Sequence, residues 1–324
     1  MLTAEQIAER RTGLGGTDAA AILGLSPWRT PLQVWREKTG QEQPSVETDA
    51  MRWGQLLEDV VAEEYARQTG RKIRRVRRTL RHPTVRVALA HLDREIVADD
   101  KGPGVLEVKT TWARTDEWGE EGTDEVPAGY AAQVTHYLAV TGRRWGEIAV
   151  LWLRERRLGV YRIEPEPDVL RGLLEYEQEW WERHVEAGVP PEPRSTAEAA
   201  SLWPQSVAEQ VVADRELESA AARLAAVRAQ IRACREEEER LRLQLQKALG
   251  AAEELVAPDG RVLATWKTAK PSRVIDWGGV VEELGPMVGQ DRVEEAVSRN
   301  TRVRPGARRF ILKLKAEQEG SDNA

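Results

Sequence analysis

Residues 105–111 read Val-Leu-Glu-Val-Lys-Thr-Thr, an apolar strand pattern with an acid and a base, Glu107 and Lys109, set two positions apart. Side chains alternate between faces along a strand, so Glu107 and Lys109 share one face while Leu106 and Val108 point the other way, toward a core. A buried ion pair tends to lose to a hydrophobic pair of similar size, so charges inside a central strand invite a chemical role. Asp93 begins another apolar segment upstream, across the turn Gly102-Pro103-Gly104, and in a hairpin it approaches Glu107. Two carboxylates and a lysine around one point would bind a divalent cation, set a water beside it and stabilise charge developing on a phosphate. Glu58, on a predicted long helix, would complete the cation's shell or hold a second ion. Chance also supplies an Asp followed by Glu-x-Lys in chains of this length, so the surrounding elements have to decide.

Composition narrows the chemistry. The 324 residues include one cysteine, Cys234, and four histidines, at positions 82, 91, 136 and 184, with no His-Glu-x-x-His pair. An internal disulfide and a cysteine-based zinc or iron–sulfur site are excluded, and any metal held mainly by carboxylates points to Mg²⁺, with Mn²⁺ as substitute. No Gly-x4-Gly-Lys-Ser/Thr loop is present, so no ATP is expected. No apolar run approaches the roughly 20 residues of a spanning helix, and Met1 to Arg11 alternate apolar and charged residues; the expectation is a soluble cytoplasmic chain without a membrane partner. The formal charge of −6 argues against a general polyanion binder, yet Arg71 to Arg86 hold eight Arg or Lys and no acid. That stripe suits a phosphate backbone, although charge alone favours the simpler reading, a solvated strand face.

The elements that must position these residues follow from periodicity and punctuation. Short helices are expected near Thr3–Arg10, Thr17–Leu23 and Pro31–Lys38, then a longer one over Asp49–Gln68 with Leu56, Leu57, Val60, Val61 and Tyr65 on one side and Gly70 ending it. Strands are expected over Ile73–Leu80, Val85–Ala90, Asp93–Ala98 and Val105–Thr111, a helix over Ala128–Val140, strands near Glu147–Leu153 and Leu158–Ile163, and a helix from Pro167 to Ala187. This order suggests an α/β fold with a mixed sheet packed against helices.

The Pro-rich stretch 189–205 reads as a linker. Positions 217, 220, 224, 227, 231, 234, 238, 241, 245 and 248 then step by threes and fours, and nine of the ten are apolar. That is a coiled-coil seam over 206–250, with Cys234 as a packed hydrophobe; spacing leaves open whether it pairs with another chain or with a helix of its own. In 251–324, Asp259-Gly260 marks a hairpin between Glu254–Ala257 and Arg261–Lys267, a short basic strand is expected from Arg308, and Glu317–Ala324 should fray.

Beyond these local patterns, the ordered set Arg11-Thr-Gly-Leu-Gly-Gly-Thr17-Asp, Ser26-Pro-Trp-Arg-Thr-Pro, Trp53-Gly-Gln-Leu-Leu-Glu58, Leu92-Asp93, Glu107-Val-Lys109 and Tyr130-Ala-Ala-Gln133-Val-Thr-His-Tyr137 resembles the YqaJ-type viral recombinase family. That family stands with lambda exonuclease among the PD-(D/E)XK nucleases. The resemblance implies a restriction-endonuclease-like core over 1–188. Asp93 and Glu107 match the metal-binding acids, with Glu58 and the backbone carbonyl of Val108 completing the site, Lys109 matches the catalytic lysine, and Gln133 contacts the attacking water or scissile region. Arg11 and Thr17 match residues that hold a terminal 5′-phosphate, and Tyr137 lies one helical turn from Gln133. Without the family, Gly15-Gly16-Thr17 reads as a turn and helix cap. Two positions depart from the pattern: Leu92 replaces the proline of the Pro-Asp pair, and His91 stands where a small hydroxyl residue is expected, as a phosphate contact, a source of pH dependence or a core histidine.

The implied function is a Mg²⁺-dependent exonuclease that degrades linear double-stranded DNA 5′ to 3′, leaving a 3′ single strand for an annealing protein or recombinase, in a ring-like homo-oligomer of phage or prophage origin. The alternatives are an endonuclease with a structural or sequence preference on the same core, and an inactive coiled-coil DNA-binding adaptor.

Overall fold

The computed structural model describes residues 8–42, 48–97, 101–268 and 277–300. The chain divides into two compact units, Met1–Leu202 and Trp203–Ala324.

In the first unit, helices α1 (Gly16–Ile22), α2 (Pro31–Lys38) and α3 (Asp49–Thr69) precede four strands, β1 (Ile73–Arg74), β2 (Leu80–Arg81), β3 (Leu89–Ala90) and β4 (Arg94–Ile96). Strand β5 (Gly104–Thr111), helix α4 (Ala128–Thr141), strands β6 (Gly146–Trp152) and β7 (Arg157–Ile163), and helices α5 (Pro167–Trp180) and α6 (Thr196–Leu202) follow. The main sheet runs β1-β4-β5-β6-β7, parallel only between β5 and β6. A parallel pair needs a crossover, and α4 supplies it. The fold is a mixed central sheet flanked by helices, as expected.

Period-two patterning places the layers. Val105 packs with Ile148, Val150, Val134 and Leu138 beneath α4, whereas Leu106 and Val108 pack with Val61, Tyr65 and Trp145 beneath α3. The α4-facing side of β5 therefore carries Val105, Glu107 and Lys109 in succession, and the opposite side is apolar through Leu106 and Val108 as far as Thr110.

Several elements differ from expectation. The strand expected over Ile73–Leu80 is reduced to its ends, and only Leu89–Ala90 of Val85–Ala90 is a strand. Between them the cations turn to acids on other elements: Arg71 to Glu147, Arg74 to Glu95, Arg75 to Asp59 and Arg81 to Glu9. Much of the basic stripe is thus matched by the protein's own carboxylates. On α3, Val61, Ala62 and Tyr65 are buried but Leu56 and Val60 are 57% and 58% exposed, because the narrow face of Leu57, Val61, Ala62 and Tyr65 meets the sheet. The helix expected to reach Ala187 changes after Trp180 to a π-helical turn, Trp181–Glu186. The wider turn lets two consecutive indoles, Trp180 and Trp181, both enter the core under α1 and α2, where the Trp35 indole N–H donates to the His184 carbonyl at 2.7 Å.

Within the stretch read as a linker, Arg194 to Leu202 belong to the first unit. Thr30 donates to Glu198, Arg36 donates to Ser201 at 2.7 Å, and Leu202 packs against the core of Trp35, Trp180 and Trp181 under α1 and α2.

The second unit holds one 35-residue helix, α7 (Arg215–Leu249), the antiparallel hairpin β8 (Glu254–Val256) and β9 (Val262–Thr265), then α8 (Trp277–Val288) and α9 (Gln290–Asn300). The Asp259-Gly260 hairpin stands where the sequence put it. The seam of α7 differs from the packed state expected of it: Leu217, Ile231, Cys234, Leu241 and Leu245 are exposed. No packing partner for these positions lies among the described residues. The expected helix at Thr3–Arg10 is described only from residue 8, and the strand from Arg308 and the tail from Glu317 lie outside the described residues. No described helix is long and apolar enough to cross a membrane.

Candidate active site

Antiparallel pairing of β4 with β5 sets Arg94 opposite Leu106, so the register continues to place Asp93 opposite Glu107. The Asp93 carboxylate accepts the Val108 backbone N–H at 2.8 Å. The hairpin expected from the Gly-Pro-Gly turn is what brings the two acids together.

Helix α4 presents Tyr130, Gln133 and Tyr137 to this point, at the i, i+3, i+7 spacing of one helical face. Gln133 is the hub. Its amide N–H group donates to Glu107 Oε1 at 2.6 Å and to the Tyr137 hydroxyl at 2.9 Å, and its carbonyl accepts from Lys109 Nζ at 2.9 Å. Lys109 Nζ also lies 2.6 Å from Glu107 Oε1. Glu107 is 2% exposed, and its second oxygen, Oε2, is buried without a hydrogen-bond partner. An orphaned buried carboxylate oxygen costs free energy that a native structure normally avoids.

The electrostatics are unbalanced toward negative charge. Burial, then the Glu107 and Glu58 charges, raise the Asp93 carboxyl well above the usual carboxylate range. Burial alone would depress the Lys109 ammonium, but Glu107 and Asp93 outweigh it and the net shift is upward. Lys109 is therefore a fixed cation and proton holder. Burial, reinforced by Glu107 and Asp93, pushes the Tyr137 hydroxyl well up, so it stays neutral.

Glu58 stands apart from this cluster as a hydrogen-bond partner of Arg94, at 2.6 Å. Arg94, which the sequence reading did not single out, is buried and also donates to Asp59 and to the Asp93 carbonyl. It fixes the backbone that carries Asp93; a charged residue interrupting a short apolar strand was the available signal. Among the described residues no group of three His, Cys, Asp or Glu side chains is gathered closely enough to hold a metal.

The N-terminal motif reaches the same place. The Leu14 N–H donates to the Val87 carbonyl at 2.6 Å and the Leu14 carbonyl accepts from Leu89 at 2.8 Å, tying residues 11–15 to the strand that leads into Asp93. Helix α1 then starts against α4 so closely that a Cβ on Gly16 would lie 2.7 Å from the Tyr137 ring and 2.8 Å from Gln133 Cγ. Only glycine permits that approach. Thr17, the next residue, is exposed at the cluster's margin, and Arg11 is half-buried. His91 is exposed and shares a 2.9 Å hydrogen bond with Thr79, which removes the core-histidine reading.

The match to known proteins coincides with this geometry. Residues 7–144 match the model of the YqaJ-like viral recombinase domain, a span holding every site residue above. Over this span the chain is similar to the YqaJ-like viral recombinase domain. A Bacillus subtilis (strain 168) protein, YqaJ, is 39% identical over 190 residues, which are 58% of this chain; the chain thus spans 58% of that relative's length. Among solved structures, LHK-Exo, an alkaline exonuclease from Laribacter hongkongensis solved in complex with dAMP, aligns with 20% identity and a TM-score of 0.41, over 58% of this chain and all of its own. A phage-related exonuclease from Haemophilus somnus 129PT aligns with 11% identity and a TM-score of 0.40, over 55% of this chain and 96% of its own.

Proposed function

We propose that the first unit of this chain, which is similar to the YqaJ-like viral recombinase domain, is a divalent-metal-dependent deoxyribonuclease acting from the 5′ ends of linear duplex DNA, and that it leaves 3′ single strands for recombination. The observation that carries the reading is the convergence of two buried acids and one ammonium: Glu107, with one oxygen unpartnered, lies in register with an Asp93 whose ionisation neighbouring acids oppose, and Lys109 sits 2.6 Å from Glu107. A cation suits that place. The donors are hard oxygens of Asp93 and Glu107, with the Val108 carbonyl and Glu58 as further candidates, which favours Mg²⁺ over a soft metal and admits Mn²⁺. Bound there, the ion supplies Lewis acidity and a lowered pKa for water.

The chain's own residues supply the rest. Lys109 keeps its proton, so it acts as a donor that orients the attacking water or stabilises charge growing on the phosphate oxygens. Water attacks phosphorus and gives up a proton to solvent, the bond to the 3′ oxygen breaks, and that oxygen takes up a proton from solvent as it leaves. Gln133 holds Glu107, Lys109 and Tyr137 in one network, so its amide sets the positions of the carboxylate and ammonium together. Arg11 and Thr17 are proposed to hold the terminal 5′-phosphate, for which an arginine fork is suited. Nothing in this set needs ATP. The partners proposed are a single-strand annealing protein or recombinase, and further copies of this chain.

The test is incubation of the purified chain and Mg²⁺ with end-labelled linear DNA, with and without 5′-phosphate, beside covalently closed plasmid and the Glu107→Ala variant. The expected result is shortening from the 5′ end by the wild type alone, faster with 5′-phosphate, with the plasmid intact. Nicked plasmid would favour an endonuclease, and equal release by both proteins would overturn the site.

A further inference from the structure

Trp28, in the loop between α1 and α2, is 74% exposed, yet its ring stacks on Tyr130 with centroids 6.1 Å apart and planes 27° from parallel. Tyr130 lies in the first turn of α4, one turn before Gln133, and Lys109 Nζ sits 4.9 Å from the Tyr130 ring centroid. An unbroken series of contacts therefore runs from an indole in water to the ammonium of the candidate active site.

The loop that carries Trp28 is held firmly. Its neighbour Arg29 pairs with buried Asp18 and Glu37, and the Trp28 N–H donates to Ser26 Oγ at 3.3 Å. The Leu25 carbonyl approaches α4 so closely that a Cβ on Gly129 would lie 2.9 Å from it, a fit that glycine alone allows. Buried charge and a glycine contact fix in place a large aromatic that buries little of itself. At 74% exposure the indole, beyond its contact with Tyr130, still offers a large aromatic surface on which another ring could stack.

We propose that Trp28 and Tyr130 form a stacking platform for a nucleobase at the DNA end, an inference that rests on the nuclease reading above. Every base offers a π-face, so an aromatic platform binds without reading sequence. The ammonium at its inner edge draws in the phosphates that flank a stacked base, which an apolar protein partner lacks. At a rise of roughly 3.4 Å per nucleotide along a strand, the Trp28 ring lies within about three base steps of the phosphate facing Lys109. The platform thus fixes which phosphate sits at the acids, and Trp28 is a positioning residue.

The experiment places 2-aminopurine at each of the first three positions of a duplex end, or in the interior, and follows its fluorescence with the full-length chain in EDTA, so that nothing is cut. Wild type is expected to quench the end probes and not the interior one. Trp28→Ala should lose the quench and bind ends roughly 5- to 150-fold more weakly, with Trp28→Phe recovering part of both. Quench and affinity unchanged in Trp28→Ala, with end binding intact, would overturn the platform and spare the nuclease reading. A wild type that prefers ends no more than closed plasmid would overturn both. A lower assembly mass of Trp28→Ala in sedimentation would show that a second copy of the chain covers Trp28, and would also overturn the platform.

Discussion

Two of the charge clusters buried in the first unit are built on opposite terms. Around α1 and α2, each carboxylate faces two cations: Asp18 pairs with Arg29 and, at 2.6 Å, with Lys38, while Glu37 pairs with Arg29 and, at 3.8 Å, with Arg10. Burial alone would raise the Asp18 carboxyl, but these cations overcome it and hold it far below its usual range. Around β5 the acids outnumber the cations and Asp93 is pushed up; the unpartnered oxygen of Glu107 has a counterpart in Glu37 Oε1 of the first cluster, so it is the charge balance that separates the two. A saturated cluster is structure, because removing any member leaves a buried charge uncompensated. An under-saturated one is a poor way to hold a fold and a good way to hold a ligand of opposite charge.

The sharpest break of that contrast is catalytic. Glu107→Ala and Lys109→Met should each cut the rate of DNA hydrolysis by at least about 1000-fold, since each removes a group that acts on the developing charge. Release of labelled nucleotide is the measurement, and a rate within tenfold of wild type would place the chemistry elsewhere.

Stability should move in opposite senses at the two clusters. Asp18→Asn should destabilise the first unit by about 3 kcal/mol, the lower end for breaking a buried pair, because Lys38 and Arg29 lose their counter-charge. Asp93→Asn should leave the thermal midpoint unchanged or raise it, because it removes a charge that Glu107 and Glu58 oppose. If both variants fall equally in a thermal melt, the distinction between the clusters fails.

Mg²⁺ at about 100 times its Kd should stabilise the wild type by about 2.7 kcal/mol through preferential binding to the folded state. The same addition should shift neither Glu107→Ala nor Asp93→Ala, as read by calorimetry without DNA. A matching rise in all three would mean the ion binds at another place.

The smallest effect concerns a third buried pair, which ties α4 to α5. His136 contacts Glu177 at 2.7 Å and the Leu89 carbonyl at 2.7 Å. Burial alone would depress the imidazolium, but Glu177 outweighs it and the folded-state pKa is raised above the ordinary histidine value. The folded state therefore holds a proton that the unfolded chain releases above about pH 6.5. Its contribution is complete below that pH and is lost as pH rises through the raised folded value. His136→Gln should flatten this part of the stability–pH curve in urea titrations, and an unchanged slope would assign it to another group.

Local pattern made much of this legible. Helices over Pro31–Lys38 and from Asp49 depend on capping residues and apolar spacing near in sequence, and they formed where those signals stand. The side of β5 that each residue faces followed from period two. The basic stretch 71–86 was not legible in the same way, because its conformation depends on acids on other elements, Asp59, Glu95 and Glu147, which local periodicity does not contain. The π-helical turn is similar: only the demand that Trp180 and Trp181 both reach one core reveals it.

By itself the sequence determined which side chains were available and which of them shared a strand or helix face, because alternation and helical pitch are properties of the local backbone. It named Asp93, Glu107, Lys109 and Gln133 before any of them met. Tertiary structure decided that Gln133 binds Glu107 and Lys109 at once, that Arg94 takes Glu58, and that Glu107 keeps one oxygen unpartnered. Those outcomes depend on distances between segments far apart in the chain, fixed by how α4 and α3 close on the sheet, and burial then sets how strongly each charge is felt.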